Sequence, residues 1–284
     1  MIDTVLPFQY SVKIMTSKNK EIDKVKELDL KIIRGGLIPE YKGSIVDRKY
    51  IFIDLDSIFS IFLTNDDKIP EEYDQRVSLA EDIVSIIKYF LSLHIRYSEI
   101  FFFYRLEKGT HFPSIYPKWN NERYKRFNND EVVIFLHKIL INNIKKLSKN
   151  TDKVKIVKCT DDTILTVKNY IKRYNYNDIV IHSRDPHYLC LFHLYKEICI
   201  FDGKSYMTGD TYKVMRSKSL PELDPYLLPY YFLICGMKRN EYKGKDKYGP
   251  KKTIAYINDR LEDVLNKTDS ITLELKDYRK LFFI

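Results

Sequence analysis

The side chains best suited to chemistry in this chain are aspartates that recur just after short apolar runs. Asp54 and Asp56 close the run KYIFID, Asp161 and Asp162 follow KVKIVK, and Asp185 stands in SRDPH directly after DIVIHS. Carboxylates are hard oxygen donors, and several brought to one place repel one another unless a cation neutralises them, so convergence of these clusters would read as a divalent-metal site. Each has an ordinary structural reading as well. Asp is a common cap and turn former, and Thr160, Asp161 or Ser183 could simply cap the helices that follow. Whether the acids act together therefore depends on the elements that carry them.

Those elements alternate. Runs rich in β-branched and aromatic residues occur at Lys49–Asp54, Glu99–Tyr104, Lys153–Lys158, Asp178–Ser183 and Glu197–Phe201. Between them, Val77, Ala80, Ile83, Val84, Ile87, Phe90 and Leu91, and more briefly Ile164, Val167 and Ile171, follow helical spacing. Strands alternating with helices predict an α/β fold with a mainly parallel, doubly wound sheet, and such a sheet places its site at the carboxyl ends of the strands, where the acids lie.

Charge narrows the partner. The 284 residues hold 48 Lys+Arg against 39 Asp+Glu, a net charge of +9, which points to a polyanion. The excess is concentrated in two segments. Arg105, Lys108, Lys118, Arg123, Lys125 and Arg126 face only Glu107 and Glu122, and Lys238, Arg239, Lys243, Lys245, Lys247, Lys251 and Lys252 face only Glu241 and Asp246. Phe112, Tyr116, Trp119, Tyr124 and Phe127 interleave the first segment, as base stacking on a single strand would require, although a solvated loop carries charge too. With 44% hydrophobic and 14% aromatic residues the chain can build a sizeable core and is not disordered. Cys159, Cys190, Cys199 and Cys235 form no CxxC pair and sit among apolar residues, the pattern of reduced, buried thiols in an intracellular protein. His182, His187 and His193 lack the partners of a zinc finger. The N-terminal residues show no basic leader before an apolar run, and charge breaks every long apolar stretch, so neither a signal peptide nor a membrane span is expected.

Several of these pieces together resemble the 5′ nuclease superfamily, the PIN-like fold of flap endonucleases and of phage and polymerase-associated 5′ to 3′ exonucleases. Gly236 to Lys251, GMKRNEYKGKDKYGPK, follows the family's GDxxDNIPGVxGIGPK in spacing, with Gly236, Gly244, Gly249, Pro250 and Lys251 identical. FIDLDSIF resembles the family's IDGNSLLF. FFFYRLEKGTHFPSIYPKWNNER resembles its FD strand and arch, CTDDTIL its EADDxIG, and SRDPHYLCL its SGDKDLLQL, all in order. The resemblance implies an N-terminal extension over residues 1–48, a nuclease-fold domain over 49–204 with the arch segment at 105–130, and a helix-three-turn-helix region with a tail over 205–284. It implies catalytic roles for Asp54, Asp161, Asp162 and Asp185, with Asp54, Asp162 and Asp185 as metal ligands. It places duplex DNA at Gly244, Gly249, Lys251 and Lys252, and single strands at Trp119, Arg123, Tyr124, Lys125 and Arg126.

The departures fall on the metal site. Tyr104, Cys159, His187, Met237 and Asn240 replace family carboxylates, and Asn120 replaces an arch lysine. Four remaining acids imply at most one Mg²⁺ or Mn²⁺, with the second site lost. Three functions stay open on this reading. One is a DNA-binding protein, weak or inactive as a nuclease, on flapped, nicked or single-stranded DNA. Another is a one-metal 5′ nuclease. The third is a partner-binding subunit docking through residues 1–48. A composition rich in Lys, Ile, Asn and Tyr suits an AT-rich phage or viral genome.

Overall fold

The computed structural model describes residues 48–57, 99–105, 110–120, 131–149, 151–201, 206–212 and 223–283, all within one compact unit, Tyr41–Ile284. Six strands among them form one sheet: β1 Tyr50–Asp54, β2 Glu99–Tyr104, β3 Val154–Lys158, β4 Ile179–His182, β5 Cys199–Phe201 and β6 Tyr206–Met207. Their order is β3-β2-β1-β4-β5-β6, with the first five parallel and β6 antiparallel to β5. The five parallel strands are those the sequence predicts, trimmed at their polar ends. The short β6 was not anticipated and lies just beyond residue 204, where the α/β part was expected to end.

A parallel sheet is covered on both faces, so its central strands carry unbroken apolar runs rather than alternating ones. Ile51–Asp54 and Ile100–Tyr104 are buried at every position, whereas β3 at the edge keeps Lys155 in water, paired with Glu99 at 2.9 Å. The helix Thr163–Arg173 buries Ile164, Val167 and Ile171, the stripe its spacing predicts. Tyr170 and Tyr174 from it stand edge-on or tilted against Phe52 and Phe101 on the sheet. The helix expected over Val77–Leu91 and the arch residues Arg123 to Arg126 lie outside the described residues.

Numbered in chain order, the helices are α1 His111–Ile115, α2 Glu131–Lys149, α3 Thr163–Arg173, α4 Leu228–Cys235, α5 Pro250–Asp259, α6 Leu261–Asn266 and α7 Ser270–Glu274. Apolar on all sides, α4 is buried from Leu228 to Ile234 and packs against α5 and the 3-10 segment Pro186–His193. Among the described residues no helix is long and apolar enough to cross a membrane. The feature that positions a site is the switch at β1, which has β2 on one side and β4 on the other, so the chain departs in opposite directions and leaves a crevice at the strands' carboxyl ends.

Candidate functional site

Asp54 ends β1 in that crevice and is 4% exposed. Its Oδ1 accepts from the Ser57 N–H at 3.1 Å and its Oδ2 from the Ser183 hydroxyl at 3.0 Å. Ser183 Oγ in turn accepts from the Asp185 N–H, and Ser57 Oγ from the Arg184 N–H, so two serines stitch the end of β1 to the loop after β4. Asp185 caps the 3-10 segment Pro186–His193 through the His187 N–H at 3.0 Å. Asp162 stands at the start of α3, where its side chain makes no capping bond and turns to Arg105 instead. Asp54, Asp56, Asp162 and Asp185 thus line one pocket that encloses about 20 Å³, room for a single water or ion.

Three of the four acids come from the sequence-predicted set, and Asp56 joins them. Asp161 does not. Its carboxylate accepts the His111 N–H at 3.1 and 3.2 Å and the Asp162 N–H at 2.8 Å, tying the start of α1 to the loop after β3. Asp161 therefore does not cap the helix that follows it, as the sequence allowed, but holds the start of α1, 50 residues earlier.

The residue that sequence reasoning missed is Arg105. Counted there only as part of a basic segment, it is 7% exposed and lies inside the acidic pocket. Its Nη1 bonds Asp162 Oδ1 at 2.5 Å, its Nε lies 3.9 Å from Asp56 Oδ2, and its backbone N–H donates to Asp56 Oδ1 at 3.2 Å. Asp56 also accepts from the Thr163 hydroxyl at 3.2 Å and stands 3.5 Å from His137 Nε2 on α2. The only available signal was position: Arg105 immediately follows β2, and an arginine at a strand's carboxyl end in a doubly wound sheet enters the crevice.

The replaced positions add no charge to the pocket. Tyr104, Cys159 and Met237 are buried in the core. Burial first, then the neighbouring Asp56 and Asp54, push the Cys159 thiol up to about 12, so it stays protonated. His187 is wholly enclosed, its basicity lowered mainly by burial, and its Nε2 is 2.6 Å from the Leu281 carbonyl, which fixes the proton on that nitrogen. Asn240 and Asn120 line the pocket with Oδ1 atoms that have no hydrogen-bond partner among the described residues.

Much of this donor set is already engaged by internal donors. Asp54 and Asp56 have both carboxylate oxygens engaged, Asp162 shares one with a guanidinium, and among the described residues no three Asp, Glu, His or Cys side chains group to hold a metal.

Trp119 is a second correction. At 1% exposure it is a core residue, 5.2 Å from the rings of Phe112 and His187 and 5.9 Å from Phe282, so no face is left for a base. The aromatic tail of the chain, unassigned by sequence, holds it there.

The glycine-rich segment joins α4 to α5. Gly236 and Gly244 have φ of +88° and +66°, and a Cβ on Gly244 would stand 2.4 Å from Gly236 N and from Ile234 O. Their glycines are required by the turn itself. Gly249 differs: its φ is −80° and a Cβ there would meet nothing within 4 Å. It stands at the start of α5 with no side-chain cap, followed by Pro250 and the exposed Lys251 and Lys252. Lys252 lies 4.3 Å over the Tyr248 ring, and Lys245 is paired with Glu274.

No family model and no curated protein matches this sequence. Solved structures do. A bacteriophage T5 protein co-crystallised with metal ions superposes with a TM-score of 0.60 at 13% identity, covering 83% of this chain and 89% of that one. The T5 5′-exonuclease with bound zinc gives 0.57 at 14%, over 83% and 87%. This chain has the 5′ nuclease fold. The T5 flap endonuclease, as a pseudo-enzyme–product complex with DNA and metal ions, superposes at 0.55 with 15% identity over 83% and 86%. Within that fold the acidic pocket stands at the strand ends, and the glycine-rich segment runs from Asn240, which lines that pocket, to the exposed start of α5 at Gly249.

Proposed function

We propose that this chain is a DNA-binding protein on the 5′ nuclease fold, weak or inactive as a phosphodiesterase, that recognises flapped, nicked or single-stranded DNA in replication or recombination. The observation that carries the reading is the start of α5. The first N–H groups of a helix lack intrahelical acceptors, and the dipole there favours an anion. Gly249 offers no capping side chain and Pro250 no N–H, so the Lys251 and Lys252 amides stand in an uncapped first turn on two exposed lysines. Because nothing inside the molecule requires a glycine at 249, the missing side chain serves an approach from outside, as a phosphate would make. Fold neighbours crystallised with DNA agree with this reading. The acidic pocket is held by internal donors instead of being open for catalysis.

Two measurements test it. Lys251→Glu with Lys252→Glu should weaken binding to nicked duplex, and each lost phosphate contact should reduce the salt slope by about 0.9. If the variant binds like the parent in about 50 mM salt, the surface is misassigned and docking through residues 1–48 becomes the better reading. Cleavage of a 5′ flap with Mg²⁺ should be absent or orders of magnitude below that of active relatives, and Asp185→Ala should change little. Robust metal-dependent cutting abolished by Asp185→Ala would establish the one-metal nuclease that the four clustered acids favour.

A further inference from the structure

We propose that Arg105 is the resident cation of the acidic pocket, a tethered guanidinium that does the neutralising a divalent ion would otherwise do and makes the fold and its DNA grip independent of metal. The inference rests on the non-catalytic reading above and names how its centre is held. Asp56 follows β1 and Asp162 opens α3, so without a cation two carboxylates from separate elements would face each other in a nearly dry crevice. Arg105 meets both, Asp162 through Nη1 at 2.5 Å and Asp56 through Nε at 3.9 Å, and adds its own N–H to Asp56 at 3.2 Å. Arginine suits the task because its charge survives burial and its planar fork spans two acceptors.

The remaining acids are quieted by neutral donors. Ser57 and Ser183 serve Asp54, and the His187 N–H serves Asp185. Deep among the acids there is room for about one water. A hydrated metal would have to displace Arg105, and the attachment of Arg105 to the end of β2 gives it a local concentration no free ion matches.

The test is Mn²⁺ retention by the full chain, followed by electron paramagnetic resonance after gel filtration, with melting temperature and DNA binding compared in EDTA and in Mn²⁺. The parent should retain no Mn²⁺ and should melt and bind DNA alike in both. Arg105→Gln should melt lower in EDTA, retain one Mn²⁺ and regain stability with it. Stoichiometric Mn²⁺ on the parent, or an Arg105→Gln variant as stable as the parent and indifferent to metal, overturns the proposal. If Arg105→Gln does not fold in either condition, Arg105→Lys decides: folded and metal-indifferent supports a resident cation, while Mn²⁺ uptake or unfolding overturns it. A parent that retains no Mn²⁺ and binds no DNA would sink the DNA reading alone. Mn²⁺-dependent cutting would sink both.

Discussion

The acidic pocket and the glycine-rich turn both occupy positions at which the fold brings charge together, and they have opposite fates. At the strand ends the carboxylates are 4 to 5% exposed for Asp54, Asp56 and Asp162, and serine, threonine and arginine side chains donate to them from within. At the turn, Lys238, Lys243, Lys247, Lys251 and Lys252 remain exposed, and among the described residues only Lys245 is drawn into an ion pair. Buried charge must be paired or neutralised, whereas exposed charge is solvated at little cost and stays available to a partner. In this chain the acids at the strand ends are buried among internal donors, and the lysines at the start of α5 face water.

The largest effect that could break this contrast is at Trp119. If it is core, Trp119→Ala should cost about 3–5 kcal/mol in urea denaturation, as for large-to-small truncation of a buried aromatic. A variant as stable as the parent that loses only single-strand binding would return Trp119 to the DNA surface.

Next come the glycines. Gly244→Ala should cost about 1–3 kcal/mol or more from its left-handed backbone alone, with the 2.4 Å approach to Gly236 N and Ile234 O adding to it. Gly249→Ala should stay within about 0.5 kcal/mol in stability yet weaken binding to nicked duplex, as measured by fluorescence anisotropy. Equal stability losses at the two positions would erase the distinction between a glycine the turn needs and one a partner needs.

The charge test is smaller. Lys252→Gln alone should weaken duplex binding only a few-fold and lower the salt slope by about 0.9, with the melting temperature unchanged. Lys245→Gln should leave the slope nearly as it was, because Glu274 already pairs that lysine.

The smallest effect concerns pH. Burial raises the Cys159 and Cys199 thiols from 9.0 to about 12, so the folded chain keeps two protons that the unfolded chain releases. Their contribution is fully present below pH 9.0 and is lost as pH rises towards about 12. Denaturation midpoints should therefore fall as pH rises from 9.0 towards about 12, and Cys159→Ala should lessen the fall. A fall unchanged by that substitution would place the titration elsewhere.

How far the sequence carried the description differs between these regions for a physical reason. The alternation of apolar runs and helical stripes determined the five parallel strands and α3, because in a doubly wound sheet burial on both faces writes itself as local composition. The turn between two helices at Gly236 to Lys251 came from the resemblance of that segment to the 5′ nuclease motif, and Gly236 and Gly244 do adopt the positive φ that favours glycine. The direction in which a side chain turns is not a local property. Asp161 and Asp162 are adjacent, yet one leaves the pocket for the His111 amide and the other enters it. Trp119 reads like an exposed aromatic in a basic loop until Phe282, from the far end of the chain, covers it. Arg105 counts as one more positive charge until β1 and α3 bring Asp56 and Asp162 to either side of it. Net charge and spacing determined that acids and bases would gather at the crevice and at the turn. Only the tertiary structure decided which charges neutralise one another, because pairing depends on distances of a few ångströms between residues about 50 positions apart.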